Sequence, residues 1–440
     1  MSAMFSSLGV RNYRVWFAGA LVSNIGTWMQ RIAQDWLVLT ELTDDDASAV
    51  GIAVGLQFAP MLLLLPVTGM VADRLDRRKV LAVTQSTMAV LGGGLGVITL
   101  TGHVTLWMVY SFALLLGIAA AFDAPARQAF VGQLVPDAQL ANAVGLNSAS
   151  FNGARLIGPG IAGLLIAAIG PGWVFLANVL TFAAVLVALA ALRPGDLIPL
   201  ERARRGRGAI REGLRYVRGR RDLILVLVLV FLWGTFGMNF AIFISTMTRI
   251  VFELGPTHYG VLSSVLAIGS VSGALLSARR AEPRLGIIAW AALGAAASLS
   301  VAALAPNPWV FGVALVAVGV GAMSLMTTAN SYVQITTPPA MRGRVMALYM
   351  AVFVGGTPIG APLMGVIAQT AGPRVALFAA AAAALVIVVI AVAYFLRTRA
   401  LRIRWEPQRR WPLRFTGRPS EDREFATTEL AIAEAETRKI

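Results

Sequence analysis

The chain has 440 residues, 57% of them hydrophobic and 13% charged, with a formal net charge of +15. Soluble domains run at about 45–50% apolar and about 25% charged, so the composition excludes an ordinary soluble protein. The cations gather at residues 74–79, 193–221, 279–284 and 342–344 and in the tail from Arg397. That distribution fits membrane topology and contact with anionic lipid, and it argues against a nucleic-acid-binding domain. There is no cysteine, and the two histidines, His103 and His258, both fall in connectors, so no disulfide, metal site or other cofactor is expected.

A membrane helix needs about 20 mostly apolar residues. Twelve such runs follow one another at approximately 14–41, 48–72, 79–101, 105–125, 140–168, 173–192, 223–252, 257–279, 285–304, 308–331, 343–370 and 374–396. Connectors 43–48, 102–105, 170–172, 254–257, 305–308 and 371–373 contain no Lys or Arg, and the intervening ones hold nearly all the loop cations. Cations accumulate on the cytoplasmic side, so the alternation predicts an all-α membrane protein of twelve transmembrane helices. Both termini are then cytoplasmic, and the protein is multi-pass in the plasma or inner membrane. The first span is expected to serve as an uncleaved insertion signal.

Taken in order, the first span carries the most unusual polar content: Asn24, Trp28, Gln30, Arg31, Gln34 and Asp35. Arg31 and Asp35 are four apart, on one helix face, and can pair. Asp35 lies about 31 Å beyond Arg14, in the outer part of the span. An ionisable residue there is a functional candidate, so Asp35 with Arg31 either couples proton movement or forms a static ion pair. Between the second and third spans stands Gly69-Met-Val-Ala-Asp73-Arg74-Leu75-Asp76-Arg77-Arg78-Lys79, with Gly69 permitting close helix approach. On the fifth span, Gly153, Gly158, Pro159 and Gly163 combine close packing with a weakened backbone ladder, hence a helix able to bend. Asn147, Asn152 and Arg155 on that span should face a cavity with Asn24, Trp28 and Gln34, because a charge exposed to lipid is costly. Arg249 and Glu253 close the seventh span four apart, as an interfacial pair. Asn239 and Asn330 are cavity candidates in the second half.

The chain also repeats itself. Phe122-Asp-Ala-Pro-Ala-Arg127 before Val135-Pro136 is echoed by Thr327-Thr-Ala-Asn330 before Thr337-Pro338, and Gly158-Pro159 by Gly360-Ala-Pro362. Parallel six-helix repeats are a transporter architecture with the substrate cavity between the halves. The expected divisions are 1–192, a linker at 193–222, a second half at 223–397 and a cytoplasmic tail at 398–440. In the linker, Ile210, Leu214 and Val217 share a helical face flanked by Arg211, Arg215 and Arg218, which describes either an amphipathic helix on the inner leaflet or a solvated connector. Residues 397–415 mix Arg with Trp405 and Trp411 and should rest against the membrane.

The loop pattern Gly-x-x-x-Asp-Arg-x-x-Arg-Arg resembles the signature of the major facilitator superfamily. Together with Asn12-Tyr-Arg14-Val-Trp16, Ser23-Asn24-Ile-Gly26-Thr-Trp28-Met-Gln30-Arg31, Phe122-Asp-Ala-Pro-Ala-Arg127 and Arg155-Leu-Ile-Gly158-Pro159, it is similar to the bacterial drug/proton antiporter branch that contains siderophore exporters. The resemblance spans roughly residues 8–397. It implies a cytoplasmic gate of Gly69, Asp73, Arg74, Arg77, Arg78 and Asp123. In that gate Asp73 sits at the start of the eleventh helix, and Arg77 pairs with Asp123 on the fourth. Asp76 stands where the family often has glycine. The glycine–proline segment resembles the antiporter motif and implies export of drugs, siderophores or other amphipathic compounds, driven by protons.

No phosphate-binding loop, His-Glu-x-x-His or Gly-x-Ser-x-Gly is present, so neither a primary pump nor an enzyme is expected. The alternatives are a proton-coupled importer of a small solute, whose site would show more buried charge, or a non-transporting receptor of the same fold. The expected partners are a small-molecule substrate, protons and membrane lipids, with no nucleic acid, and the chain is expected to be a monomer.

Overall fold

The structure, a computed structural model, describes residues 3–198, 209–279, 283–398, 402–405 and 413–416. The long helices are α1 (Arg11–Thr40), α4 (Arg77–Leu100), α5 (Leu106–Leu134), α6 (Asp137–Ile169), α7 (Pro171–Ala191), α11 (Pro256–Ala278), α12 (Leu285–Leu304), α13 (Pro308–Thr336), α14 (Pro339–Ala371) and α15 (Pro373–Thr398). Shorter ones are α2 (Ala47–Leu63), α3 (Leu65–Arg74), α8 (Ala209–Arg218), α9 (Arg221–Leu232) and α10 (Phe240–Thr246). Among the described residues, ten helices are long and apolar enough to cross a membrane, with Arg221–Val251 counted as one. Two short antiparallel strands, Arg402–Trp405 and Leu413–Thr416, form a hairpin, a departure from an all-α chain among the described residues. Trp411 and the segment beyond Ser420 lie outside the described residues.

Local chemistry sets the ends of these helices. Asp46, Asp76, Thr105 and Asn307 accept backbone N–H bonds at the starts of α2, α4, α5 and α13, satisfying donors that have no partner within the helix. Asp76 therefore works as an N-cap, which accounts for an aspartate at the usual glycine position. The expected second span is divided at Leu64, because Pro66, near the start of α3, has no N–H to continue the ladder of α2. The fourth helix runs to Leu134, well past the expected 125, so the Phe122–Arg127 motif is helical. The seventh expected span is interrupted by two five-residue π-helical segments, Trp233–Gly237 and Met247–Val251.

The internal repeat is visible in the backbone. Helices α5 and α13 each have 29 residues, and α6 and α14 each have 33. Both of the longer ones end at a left-handed glycine, Gly170 (φ 81°) or Gly372 (φ 100°), followed by a proline that opens the next helix. A side chain at either glycine would be strained.

The helices pack as an N-terminal group (α1, α4–α7 with α2) and a C-terminal group (α9, α11–α13 and α15 with α14). The broad contacts between groups are α2 on α14 and α6 on α11. Backbones meet there: a Cβ on Gly51 would strike the Ala361 carbonyl, one on Gly365 would lie 2.7 Å from the Ala47 carbonyl, and one on Gly163 would lie 2.5 Å from that of Pro256. Small residues make such crossings possible in a membrane. Helix α8 belongs to the C-terminal group: Val217 is buried, Gly213 abuts Arg344, and Glu212 pairs with Arg344 at 2.6 Å. Leu214 on its other side is exposed.

Candidate functional site

The two groups close at the end that holds the cation-free connectors. Asp45 pairs with Arg249 at 2.9 Å, the Ala47 N–H donates to Gln369 at 2.8 Å, and the Thr257 hydroxyl donates to the Gly163 carbonyl at 3.4 Å. Toward the other end they diverge. On one face of α6, Gly163 touches the backbone of α11, Gly160 meets only the Ser264 side chain at 3.2 Å, and Gly153 has nothing within 4 Å. The two groups thus meet closely at the cation-poor end, and α6 and α11 part toward the cation-rich end, leaving a cavity between them that opens there, while α2 and α14 stay in touch as far as Leu62 and Gly355.

Helix α1 supplies the charged wall. Asp35 is 4% exposed and accepts a hydrogen bond from the Tyr259 hydroxyl of α11 at 3.1 Å. Trp36 stacks on the Tyr259 ring, with centroids 5.9 Å apart. Asp35 thus joins the two groups at the sealed end. Among the described residues it forms no ion pair with Arg31, although the spacing allowed one. The Arg31 guanidinium instead lies 4.9 Å from the centre of the Trp28 ring and 5.2 Å from that of Phe58 on α2, and its Nε is buried without a partner. Arg155 on α6 approaches the same Trp28 ring at 5.6 Å. The structure therefore brings Trp28, Arg31, Asp35 and Arg155 together, with Phe58, Phe151 and Tyr259 added around them.

The remaining cavity candidates divide by role. Asn24 donates to Ser150 on α6 at 3.2 Å, below Trp28. Gln34 is buried with both amide atoms unpartnered. Asn152 donates to the Ser148 carbonyl of its own helix at 2.9 Å, and Asn147 on the same helix is half-buried. Asn239 sits where the first π segment meets α10, donates to the Thr235 carbonyl at 2.6 Å, and leaves its Oδ1 buried without a partner. Asn330 accepts from Gln334 on α13. Gly158 packs on α1, where a Cβ would lie 2.7 Å from that of Trp28, and Pro159 lies inside an unbroken α6.

Two expected pairings at the helix ends take other partners. Asp123 pairs with Arg127 at 2.9 Å and accepts from Thr84 and Gln85 at 2.8 and 2.7 Å, so it is not the partner of Arg77. Once α5 continues past residue 125, Arg127 stands one turn along the same helix and is nearer. Arg249 pairs with Asp45 and not with Glu253, because the chain leaves the helix before Glu253, whose φ is 55°. Arg78 donates to the Leu189 carbonyl at 3.0 Å, tying the loop to α7. Arg74 is exposed on the rim of a groove of about 640 Å³ between α3, α4 and α5, away from the central cavity. The side chain of Asp73 lies outside the described residues, and Gly69 is half-buried on α3.

Sequence reasoning missed Tyr259, Phe58 and Phe151. Each looks like an ordinary apolar-helix residue, and only the apposition of α11, α2 and α6 on α1 gives it a role.

The family model described as transmembrane secretion effector matches residues 2–418. The chain belongs to that family of the major facilitator superfamily: it is a multi-pass transporter of the cell membrane, not an enzyme. It is 26% identical to the staphyloferrin A transporter of Staphylococcus aureus, over 82% of this chain and 90% of that one. It is 29% identical to the multidrug efflux pump Tap of Mycolicibacterium fortuitum, over 80% and 88%. Against the enterobactin exporter EntS of Escherichia coli O1:K1 it is 29% identical over 72% and 76%. Its fold matches a bacterial homologue of the lysosomal transporter Spinster, in an inward-facing unoccupied conformation, with a TM-score of 0.70 at 15% identity, over 88% and 97% of the two chains.

Proposed function

We propose, from its place among the transmembrane secretion effectors, that this chain exports a small amphipathic compound by exchange with protons. In this reading α1 and the α2–α3 pair also cross the membrane, giving twelve spans with both termini in the cytoplasm. Residues 1–192 and 223–397 then alternate access, with 193–222 linking them and 398–440 as a cytoplasmic tail. The cation-rich end is cytoplasmic, so the open cavity faces inward.

The observation that carries the reading is the Asp35–Tyr259 hydrogen bond across the sealed end. Closing that end removes Asp35 from water, and burying a charged carboxylate is costly unless its charge is removed or balanced. A proton taken from outside neutralises Asp35 and lets the end close over it, while Tyr259 still satisfies its oxygen. Release then occurs into the inward cavity, where Arg31 and Arg155 lie. At the opposite end, Asp73 meets the start of α14 when that end closes, because a carboxylate is stabilised by exposed helix N–H groups.

Transport in proteoliposomes under an imposed pH gradient tests the scheme. Asp35→Asn mimics the neutral form, so it should abolish gradient-driven efflux and retain substrate binding. Uphill export at the wild-type rate by this variant would move the proton site elsewhere.

A further inference from the structure

The cavity holds two guanidiniums, and the carboxylate near them, Asp35, is bonded to neither. Arg31 and Arg155 both lie against the Trp28 ring. Among the described residues neither makes a hydrogen bond or an ion pair. Only the Nε of Arg31 is both buried and unpartnered, so its amino groups reach the cavity. Asp35, the nearest carboxylate, is committed to Tyr259.

The other walls do not compensate. Residues 47–70 of α2–α3, 223–248 of the α9–α10 span and 345–370 of α14 contain no Asp, Glu, Lys, Arg or His. In α11 the stretch 257–277 has His258 alone, exposed at the sealed end. The cavity therefore carries two positive charges against one negative, with aromatic rings of Trp28, Phe58 and Phe151 beside them. Unpaired buried cations are retained where something else supplies the counter-charge.

We infer that this site takes an anionic amphipathic substrate: a flat or apolar body lying on Trp28, Phe58 and Phe151, and a carboxylate-, catecholate- or sulfonate-type group held by Arg155 and Arg31. Guanidinium forks suit such groups because they donate two parallel hydrogen bonds. This rests on the export reading of the cavity and sharpens it. When the substrate anion occupies Arg31, the charge of Asp35 loses the balance that Arg31 gives it, and keeping the far end sealed over it becomes unfavourable. Substrate binding thus opens the end that proton binding closes, which is the alternation an exchanger requires.

The experiment uses the full chain in phosphatidylcholine nanodiscs, where no anionic lipid competes, and measures calorimetric binding of three probes of matched size: 2-naphthoate, 2-naphthamide and 2-naphthyltrimethylammonium. Naphthoate should bind at least tenfold more tightly than the amide, and the ammonium most weakly. Arg155→Gln should remove that preference, leave amide binding within twofold, and change thermal stability little, since Arg155 makes no hydrogen bond or ion pair and loses only its contact with the Trp28 ring. Arg155→Lys should fall between, keeping charge without the fork. Naphthoate binding no tighter than the amide, or a preference that survives Arg155→Gln, overturns the inference. Uptake into inside-out proteoliposomes separates the two claims. An Arg155-dependent naphthoate site with no gradient-driven uptake fails the export reading and keeps the site, whereas uptake of the ammonium probe alone fails the site and keeps export.

Discussion

Helix α1 and its counterpart in the repeat, Arg221–Val251, occupy equivalent places and are built differently. Helix α1 is an unbroken stretch of 30 residues carrying Arg31 and Asp35. Its counterpart has no ionisable residue between Asp222 and Arg249 and is broken by two π segments, with Asn239 between them. The N-terminal group thus contributes the charges, on a helix whose ladder fixes their positions. The C-terminal group contributes irregular backbone, of the kind that clusters at functional sites in membrane helices. Helix α14 holds this irregularity closely. A Cβ on Gly360 would collide with the Thr235 carbonyl, and one on Gly356 would lie 2.6 Å from the Thr235 nitrogen.

Breaking the C-terminal side should have the largest effect. Gly360→Ala places a methyl group against a backbone carbonyl that cannot yield, so destabilisation of about 1–3 kcal/mol or more is expected. It should appear as a lower melting temperature in detergent and reduced yield. Gly153→Ala, on a position with open space around it, should be neutral in the same assay.

On the N-terminal side the expected effect is on cycling. Tyr259→Phe removes the donor to Asp35 without changing shape. A hydrogen bond to a charged or chargeable group is worth about 1.5–3 kcal/mol, enough to shift the balance between open and sealed states roughly tenfold or more. Cross-linking across the sealed end should report fewer closed molecules with folding intact, and an unchanged ratio would reduce Tyr259 to a packing residue. Asp45→Asn, which removes the Arg249 pair, should have the smallest effect. Both partners are more than a third exposed, and such pairs contribute about 0–1 kcal/mol.

The same contrast explains what could be read from the sequence. Apolar run lengths, charge alternation and the glycine–proline echoes reflect requirements of the bilayer on each segment alone, and the helices appear close to where those signals put them. Arg31, Asp35 and Arg155 stood out because charge inside a span is rare, and Trp28 because it stands in the polar stretch around Arg31. Their partners did not. The pairings read from neighbouring positions or from resemblance, Arg31–Asp35, Arg249–Glu253 and Arg77–Asp123, gave way to Tyr259–Asp35, Asp45–Arg249 and Arg127–Asp123. Two of these cross between groups more than 200 positions apart. The π segments left only Gly234 and Gly237 as a trace, and glycine in a membrane helix usually signals packing.

The chain has no cysteine, so label pairs can be introduced without removing any residue first. Val144 on α6 and Ile335 on α13 are exposed at the cation-rich end, and Trp107 on α5 and Trp309 on α13 at the cation-poor end. Spin labels at each pair, measured by electron–electron double resonance across pH, report which end is open. Lowering the pH should shorten the 107–309 distance and lengthen the 144–335 distance, because protonation of Asp35 lets the outer end close. In Asp35→Asn both distances should stay at their low-pH values throughout. A variant that still moves with pH as the wild type does would contradict the claim that Asp35 links protons to the alternation of the two groups.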